Sequence, residues 1–423
     1  MKITKLIGVL GLGVGTILTT SGCSQSKGIE IWTFSDELMD IVDTYYGGNA
    51  SVIIKTSVTQ IRSDLINAVE SGRGVPDVIA LEAAVVADFT TDTAEKSYLL
   101  PLDDIGGTDD MYEYTKSVAT STDGKILGLS WQATPGGFFY KKSVASKLGI
   151  NSVEAMQEKL STWDGYLALA AQAKEQRIAL CSSITDPVKV FLSAREKSWI
   201  GDNGKLSMEE VMFGGGEKDN CFDVVRALQQ NNYTHEAADR GPRWVSDIDS
   251  ANTLGYFCSS WGLNFDLMPN AKTTKGDWQM CKAPVDYFKG GTWLAIPKGS
   301  QKVEEAKEFV KFVTTDKTFL KQRGKSTGDF MNSKSVMSEL VQDYQCEFLG
   351  GQNHLALLYD VAENINGDLI SPYDATLDSL YTTTVANFAR DEASTPSEVE
   401  IAREEHKTNF IDAVRAKYKT LVE

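Results

Sequence analysis

Histidine is scarce in this 423-residue chain, which holds only His235, His354 and His406. None lies in an H-E-x-x-H pattern or beside clustered cysteines, so a zinc site has no support. The six cysteines form no C-x-x-C or other metal-like spacing. Arg323-Gly324-Lys325-Ser326 ends like a phosphate-binding loop, yet Phe319 stands where its first glycine belongs. Basic charge is also short. The 42 Lys and Arg against 58 Asp and Glu leave −16, a balance that repels phosphate backbones and anionic lipid. A nucleic-acid partner is therefore excluded, as is a purely electrostatic hold on a membrane. What is present is aromatic and apolar. Eight Trp, 15 Tyr, 17 Phe and 42% hydrophobic residues rule out an acidic disordered chain. The length fits two or three domains with real cores.

Residues 1–22 read as a secretory leader, with Lys2 and Lys5 before an apolar stretch at 6–18 that is too short to span a bilayer comfortably. Its glycines, Gly11, Gly13 and Gly15, mimic a nucleotide-binding turn but lie inside the leader. Ser21-Gly22 before Cys23 resembles a bacterial lipobox, although Thr20 stands where that pattern usually has Leu. Cleavage there would leave Cys23 lipidated, residues 23–28 as a tether, and a chain of charge −18 on the outer face of the cell membrane. The remaining cysteines, Cys181, Cys221, Cys258, Cys281 and Cys346, are odd in number and read mostly as buried small residues, with one disulfide left open.

From Gly28 the pattern is β-α-β-α-β. Strands are expected at 29–33, 51–54 and 78–81, with amphipathic helices through Leu38, Ile41 and Tyr45 and through Ile61, Leu65 and Val69. This opens an α/β fold, and such sheets bind ligands beyond the carboxyl ends of their strands. Those ends carry Ser35, Asp36, Glu37 and Glu82. Acids at that place suit a neutral polyhydroxylated ligand, since carboxylates accept hydrogen bonds from hydroxyls. Asp36 and Glu37 serve equally well as a helix cap and dipole partner. A second α/β unit is expected from about 137 to 290, with a strand at 178–180, and further helices through Val303 to Val313 and over 355–361, 375–385 and 399–418. No internal repeat or linker separates the units, so interleaved lobes are expected.

Several segments, taken in order, resemble the solute-binding proteins of bacterial carbohydrate ABC transporters, the maltose-binding-protein-like group. They are Ile31-Trp32-Thr33-Phe34, Val75-Pro76-Asp77-Val78-Ile79, the run from Trp131 to Lys142, Gly290-Gly291-Thr292-Trp293-Leu294 with Ile296-Pro297-Lys298 after it, and Asp329-Phe330-Met331-Asn332-Ser333. The resemblance implies a two-lobed periplasmic-binding-protein-like fold, each lobe an open mixed sheet flanked by helices, joined by three hinge crossings. The first lobe would hold 29–134 and 294–330, and the second 137–290 and 332–423. It implies a monomeric, non-enzymatic receptor without cofactor or metal that captures a neutral oligosaccharide and passes it to permease subunits. Its cleft residues would be Ser35, Asp36, Glu37, Glu82, Trp131, Gln132, Asp186, Arg195, Trp261, Trp293, Tyr373 and Asp374, with Trp261 stacking on a sugar ring. Trp32 reads as core and Trp131 as either. A secreted glycoside hydrolase, or a binder of a cationic solute such as a polyamine, are the rival readings.

Overall fold

A computed structural model describes residues 28–214 and 220–423; the leader and Cys23 lie outside them. Five strands form the first sheet, in the order β2-β1-β3-β8-β4. They are β1 (Ile29–Thr33), β2 (Ala50–Ile54), β3 (Val78–Glu82), β4 (Leu129–Ser130) and β8 (Thr292–Ala295). The first three run parallel, as the β-α-β-α-β pattern requires, whereas β8 joins β3 and β4 antiparallel. The second sheet, β6-β5-β7, is built from β5 (Gly136–Lys141), β6 (Gly255–Ser259) and β7 (Trp278–Cys281), and its ladders are antiparallel.

Alternation along the strands sets the layers. Ile29, Ile31, Val78 and Ala80 pack on one face of the first sheet with Phe309 and Val310 of the helix Val303–Thr315. Trp32, Ile79, Leu81 and Trp293 pack on the other, against Ile61 and Leu65 of the helix Val58–Ser71. That helix starts on a Ser57 cap and stops at Gly72, whose φ of +65° is left-handed. Both sheet faces are thus covered. In the second unit Phe138 and Tyr140 meet the helices Trp163–Glu175, Cys221–Gln230 and Asp374–Ala389. The expected strand at 178–180 forms only single parallel bridges, Ala179 to Thr253 and Cys181 to Thr234. Three apolar residues are too few to extend a ladder.

Segments 131–135 and 282–291 connect the two sheets, and 328–333, which joins the helices Lys317–Thr327 and Lys334–Leu340, runs beside the first of them. Ala133 N donates to Phe330 O at 3.0 Å and Asn332 N to Trp131 O at 2.8 Å. Lys289 N donates to Thr134 O at 3.2 Å. Cys181, Cys221, Cys258, Cys281 and Cys346 are all buried free thiols, which answers the open disulfide question. Among the described residues no helix is long and apolar enough to cross a membrane.

Candidate ligand-binding cleft

Between the two sheets lies a cleft of about 500 Å³, within the ordinary range for small-molecule sites. Its first wall begins at the carboxyl end of β3. There Glu82 caps the helix Ala83–Asp88, accepting from Ala84 N at 2.8 Å. Burial raises the Glu82 carboxyl above its usual range. Ala83, Ala84 and Ala87 line the same wall, and their short side chains leave the space open.

The second wall is the helix Asp374–Ala389. Its inner stripe, Leu377, Tyr381, Val385 and Phe388, is core, which turns Asp374, Asp378, Ser379, Thr382 and Thr383 toward the cleft. Arg195 binds the start of this stripe. Its Nη2 donates to Asp374 Oδ2 at 2.9 Å, its Nη1 lies 3.7 Å from Asp378 Oδ1, and its guanidinium stacks on Trp199 at 4.9 Å. Arg195 Nε and Nη1 are buried without a hydrogen-bond partner. Burial pushes the Asp378 carboxyl up to about 7 against the pull of Arg195. Asp374 is raised by burial as well.

Lys189, Asp239 and Lys289 line the cleft beside the second crossing. Lys289 Nζ stands 3.6 Å from Asp239. Burial, then the neighbouring Lys189, brings the Lys289 ammonium down to about 8. Two lysines thus face one aspartate along this floor, while Glu82, Asp374 and Asp378 place acids on the walls.

Of the residues named from sequence, Glu82, Arg195 and Asp374 line this cleft. Trp261 is half-buried beside a small adjoining hollow that shares Lys189, Asp239 and Lys289 with it. The others stand elsewhere. Trp293 is 1% exposed, packs in the core and donates from Nε1 to Thr115 O at 2.9 Å. On a strand covered on both faces it has no route to solvent, which corrects its assignment to the cleft. Trp131, also buried, donates to Glu37 Oε1 at 3.4 Å. Gln132 Nε2 bridges Glu37 Oε1 at 3.3 Å and Asp329 Oδ2 at 2.7 Å. These three hold the crossings rather than line the cleft. Burial, then Asp329, raises Glu37 to about 7 despite Arg323 at 3.2 Å.

Ser35 is half-buried, with its backbone N held by Thr33 Oγ1 at 3.3 Å, and Asp36 is an exposed N-cap without a side-chain cap bond. Asp186 is buried off the cleft, where Trp244 donates to it at 3.4 Å. Tyr373 packs edge-on against Tyr418 at 5.1 Å. Residues that sequence reasoning missed include Asp378, Thr382 and Thr383. Their signal was the i, i+4, i+8 spacing of acids and hydroxyls opposite an apolar stripe. Phe288 supplies the one aromatic ring among the lining residues.

Gly324-Lys325-Ser326-Thr327-Gly328 has the spacing of a serine-hydrolase elbow. It sits, however, at the end of the helix Lys317–Thr327, with Ser326 Oγ donating to Arg323 O at 3.0 Å, not on a strand-to-helix turn. No group of three or more His, Cys, Asp or Glu among the described residues is placed to hold a metal.

The sequence profile of a family described as bacterial extracellular solute-binding protein matches residues 47–344. An arabinooligosaccharide-binding protein of Halalkalibacterium halodurans is 22% identical over 365 residues, covering 80% of this chain and 77% of the relative. A protein of the same description from Bacillus subtilis is 23% identical over 338 residues, covering 73% and 72%. Among solved structures, an extracellular solute-binding protein of family 1 superposes with a TM-score of 0.73 at 17% identity, over 90% of this chain and 99% of the other. The galacto-N-biose/lacto-N-biose I-binding protein of a Bifidobacterium longum ABC transporter, bound to lacto-N-biose, gives 0.70 at 17% identity, over 92% and 97%. At such identities these two likenesses establish the α/β two-sheet fold.

Proposed function

The chain belongs to the bacterial extracellular solute-binding proteins, and from that premise we propose that it is the binding subunit of a carbohydrate ABC importer. It takes an oligosaccharide into the cleft between its sheets and delivers it to the permease without chemical change. The observation that carries this reading is the second wall, where Asp374, Asp378, Ser379, Thr382 and Thr383 line one side of a 500 Å³ cleft. Carboxylates accept from sugar hydroxyls. Thr382 and Thr383, whose hydroxyls donate to Asp378 O and Ser379 O, have lone pairs left to accept as well, and the alanine wall opposite meets C–H surface. A cationic solute is disfavoured because Arg195, Lys189 and Lys289 offset three of the four acids that line the cleft, Glu82, Asp239, Asp374 and Asp378.

Ligand touching both walls favours the closed arrangement of two lobes, 29–134 with 294–330 and 137–290 with 332–423, about the crossing segments. The permease would read that arrangement. A lipid on Cys23 would keep a monomeric receptor at the outer face of the membrane.

Calorimetry of the chain lacking residues 1–22, with arabino-, galacto-, xylo- and malto-oligosaccharides, tests the reading. Binding of one series at about micromolar Kd, near −8 kcal/mol, with the saccharide recovered intact by chromatography, is expected. No heat with any series, or shortened products, overturns it.

A further inference from the structure

Trp261 follows β6 and is fixed from behind. Its Nε1 donates to Lys289 O at 2.9 Å. Gly290, at φ +66°, lies so close that a Cβ there would approach that nitrogen to 3.2 Å. The ring stands one row of side chains from the cleft, across Lys189, Asp239 and Lys289, which line both spaces. Over the ring lies Arg240, its guanidinium 4.5 Å from the ring centre. Arg240 Nε and Nη2 both donate to Asp266 Oδ2, at 3.2 and 3.0 Å. The Arg240 side chain is 44% exposed.

We propose that Arg240 is a displaceable cover on the Trp261 indole, and that it sets how long a saccharide the cleft prefers. A guanidinium plane and the C–H face of a sugar ring compete for the same aromatic surface. Arg240 is half-exposed while Asp266 is only 14% exposed, so solvent screens the pair from the arginine side and it holds less firmly than a fully buried one. The half-buried ring adds a modest cation–π attraction. An end sugar therefore replaces the guanidinium readily, but only when the chain is long enough to pass Lys189, Asp239 and Lys289. Short saccharides fill the main cleft and leave the cover in place. This inference rests on the oligosaccharide reading above.

The test is a length ladder, from disaccharide to pentasaccharide of the series the wild type binds, titrated into wild type, Arg240→Ala, Asp266→Asn and Arg240→Ala/Trp261→Ala. Thermal melts confirm that each variant is folded. Arg240→Ala should leave disaccharide Kd within twofold and tighten the longest ligands about three- to tenfold. Asp266→Asn should act in the same direction and less, and the gain should vanish in the double variant. Equal changes at every length, weaker binding of long ligands, or a gain that survives loss of Trp261 would each overturn the cover. A wild type that binds no saccharide at all would instead overturn the function proposed for the cleft.

Discussion

Two clusters in this molecule have nearly the same composition: an arginine, two carboxylates and a tryptophan. At the crossings, Arg323, Glu37 and Asp329 gather around Gln132 beside Trp131. On the second cleft wall, Arg195, Asp374 and Asp378 gather beside Trp199, whose Nε1 donates to Asp378 Oδ1 at 2.6 Å. The first cluster is closed. Glu37 accepts from Arg323, Trp131 and Gln132, and Asp329 accepts from Gln132, from Ser260 Oγ at 2.5 Å and from Phe330 N at 2.8 Å. The second leaves Arg195 Nε and Nη1 without a hydrogen bond, Nη1 keeping only its 3.7 Å ion pair with Asp378, and borders open space. Residue type does not separate the two clusters. They differ in how fully their hydrogen-bonding capacity is met and in which of them borders the cleft.

Breaking the closed cluster should cost most. Arg323→Met removes the cation beside Glu37 and Asp40 and leaves Glu37, which titrates near 7, to take up a proton. It should lower unfolding free energy by about 1–3 kcal/mol through the lost buried hydrogen bonds. Urea titration measures this, and saccharide Kd of the folded protein should stay within about threefold. A large loss of binding with unchanged stability would reverse the roles of the two clusters.

Acidity sharpens the contrast next. Glu37 titrates near 7 when folded against 4.5 as its ordinary value, so the folded chain holds the extra proton between these limits. Its contribution is therefore greatest below about pH 4.5 and falls as pH rises toward 7. Relative to Glu37→Gln, wild-type stability should decline over that window by on the order of 2 kcal/mol. A flat difference would mean that Glu37 is solvated.

The open cluster should answer in affinity. Arg195→Met should weaken saccharide binding about tenfold, near 1.4 kcal/mol, while Asp378 takes up a proton and limits the structural damage. Binding unchanged in a folded Arg195→Met protein would remove the cluster from the site. Smallest is Thr382→Ala, which deletes one hydroxyl at the half-exposed part of the helix and should cost about 1 kcal/mol or less of binding, with the melting temperature unmoved.

Periodicity made the first sheet legible. The stretches around Ile29, Val52 and Val78 alternate or run apolar within narrow bounds, and Ser57 and Gly72 delimit the helix between the second and third. The cleft was legible only in part, because motif order fixes where a residue falls along the chain and not which way its side chain points. Trp293 illustrates this. It pairs with Leu81 and Ser130 in the interior of the sheet, and helices cover both faces, so its register carries it inward. Glu37 and Gln132 reached the right neighbourhood and turned to the crossings. The Asp374 to Thr383 stripe was readable as a helix face. Its direction became known only from the apolar side that anchors it.

The five sealed thiols give the chain a chemical silence useful for watching it move. Burial drives the Cys181, Cys221, Cys258 and Cys281 sulfhydryls well above their ordinary acidity, so an alkylating reagent meets no thiolate until the interior is breached. Labelling of the leaderless protein carrying Cys23→Ser thus clocks its rare unfolding excursions. A saccharide that clamps both walls should stretch that clock by a factor of one plus the ratio of free saccharide concentration to its Kd.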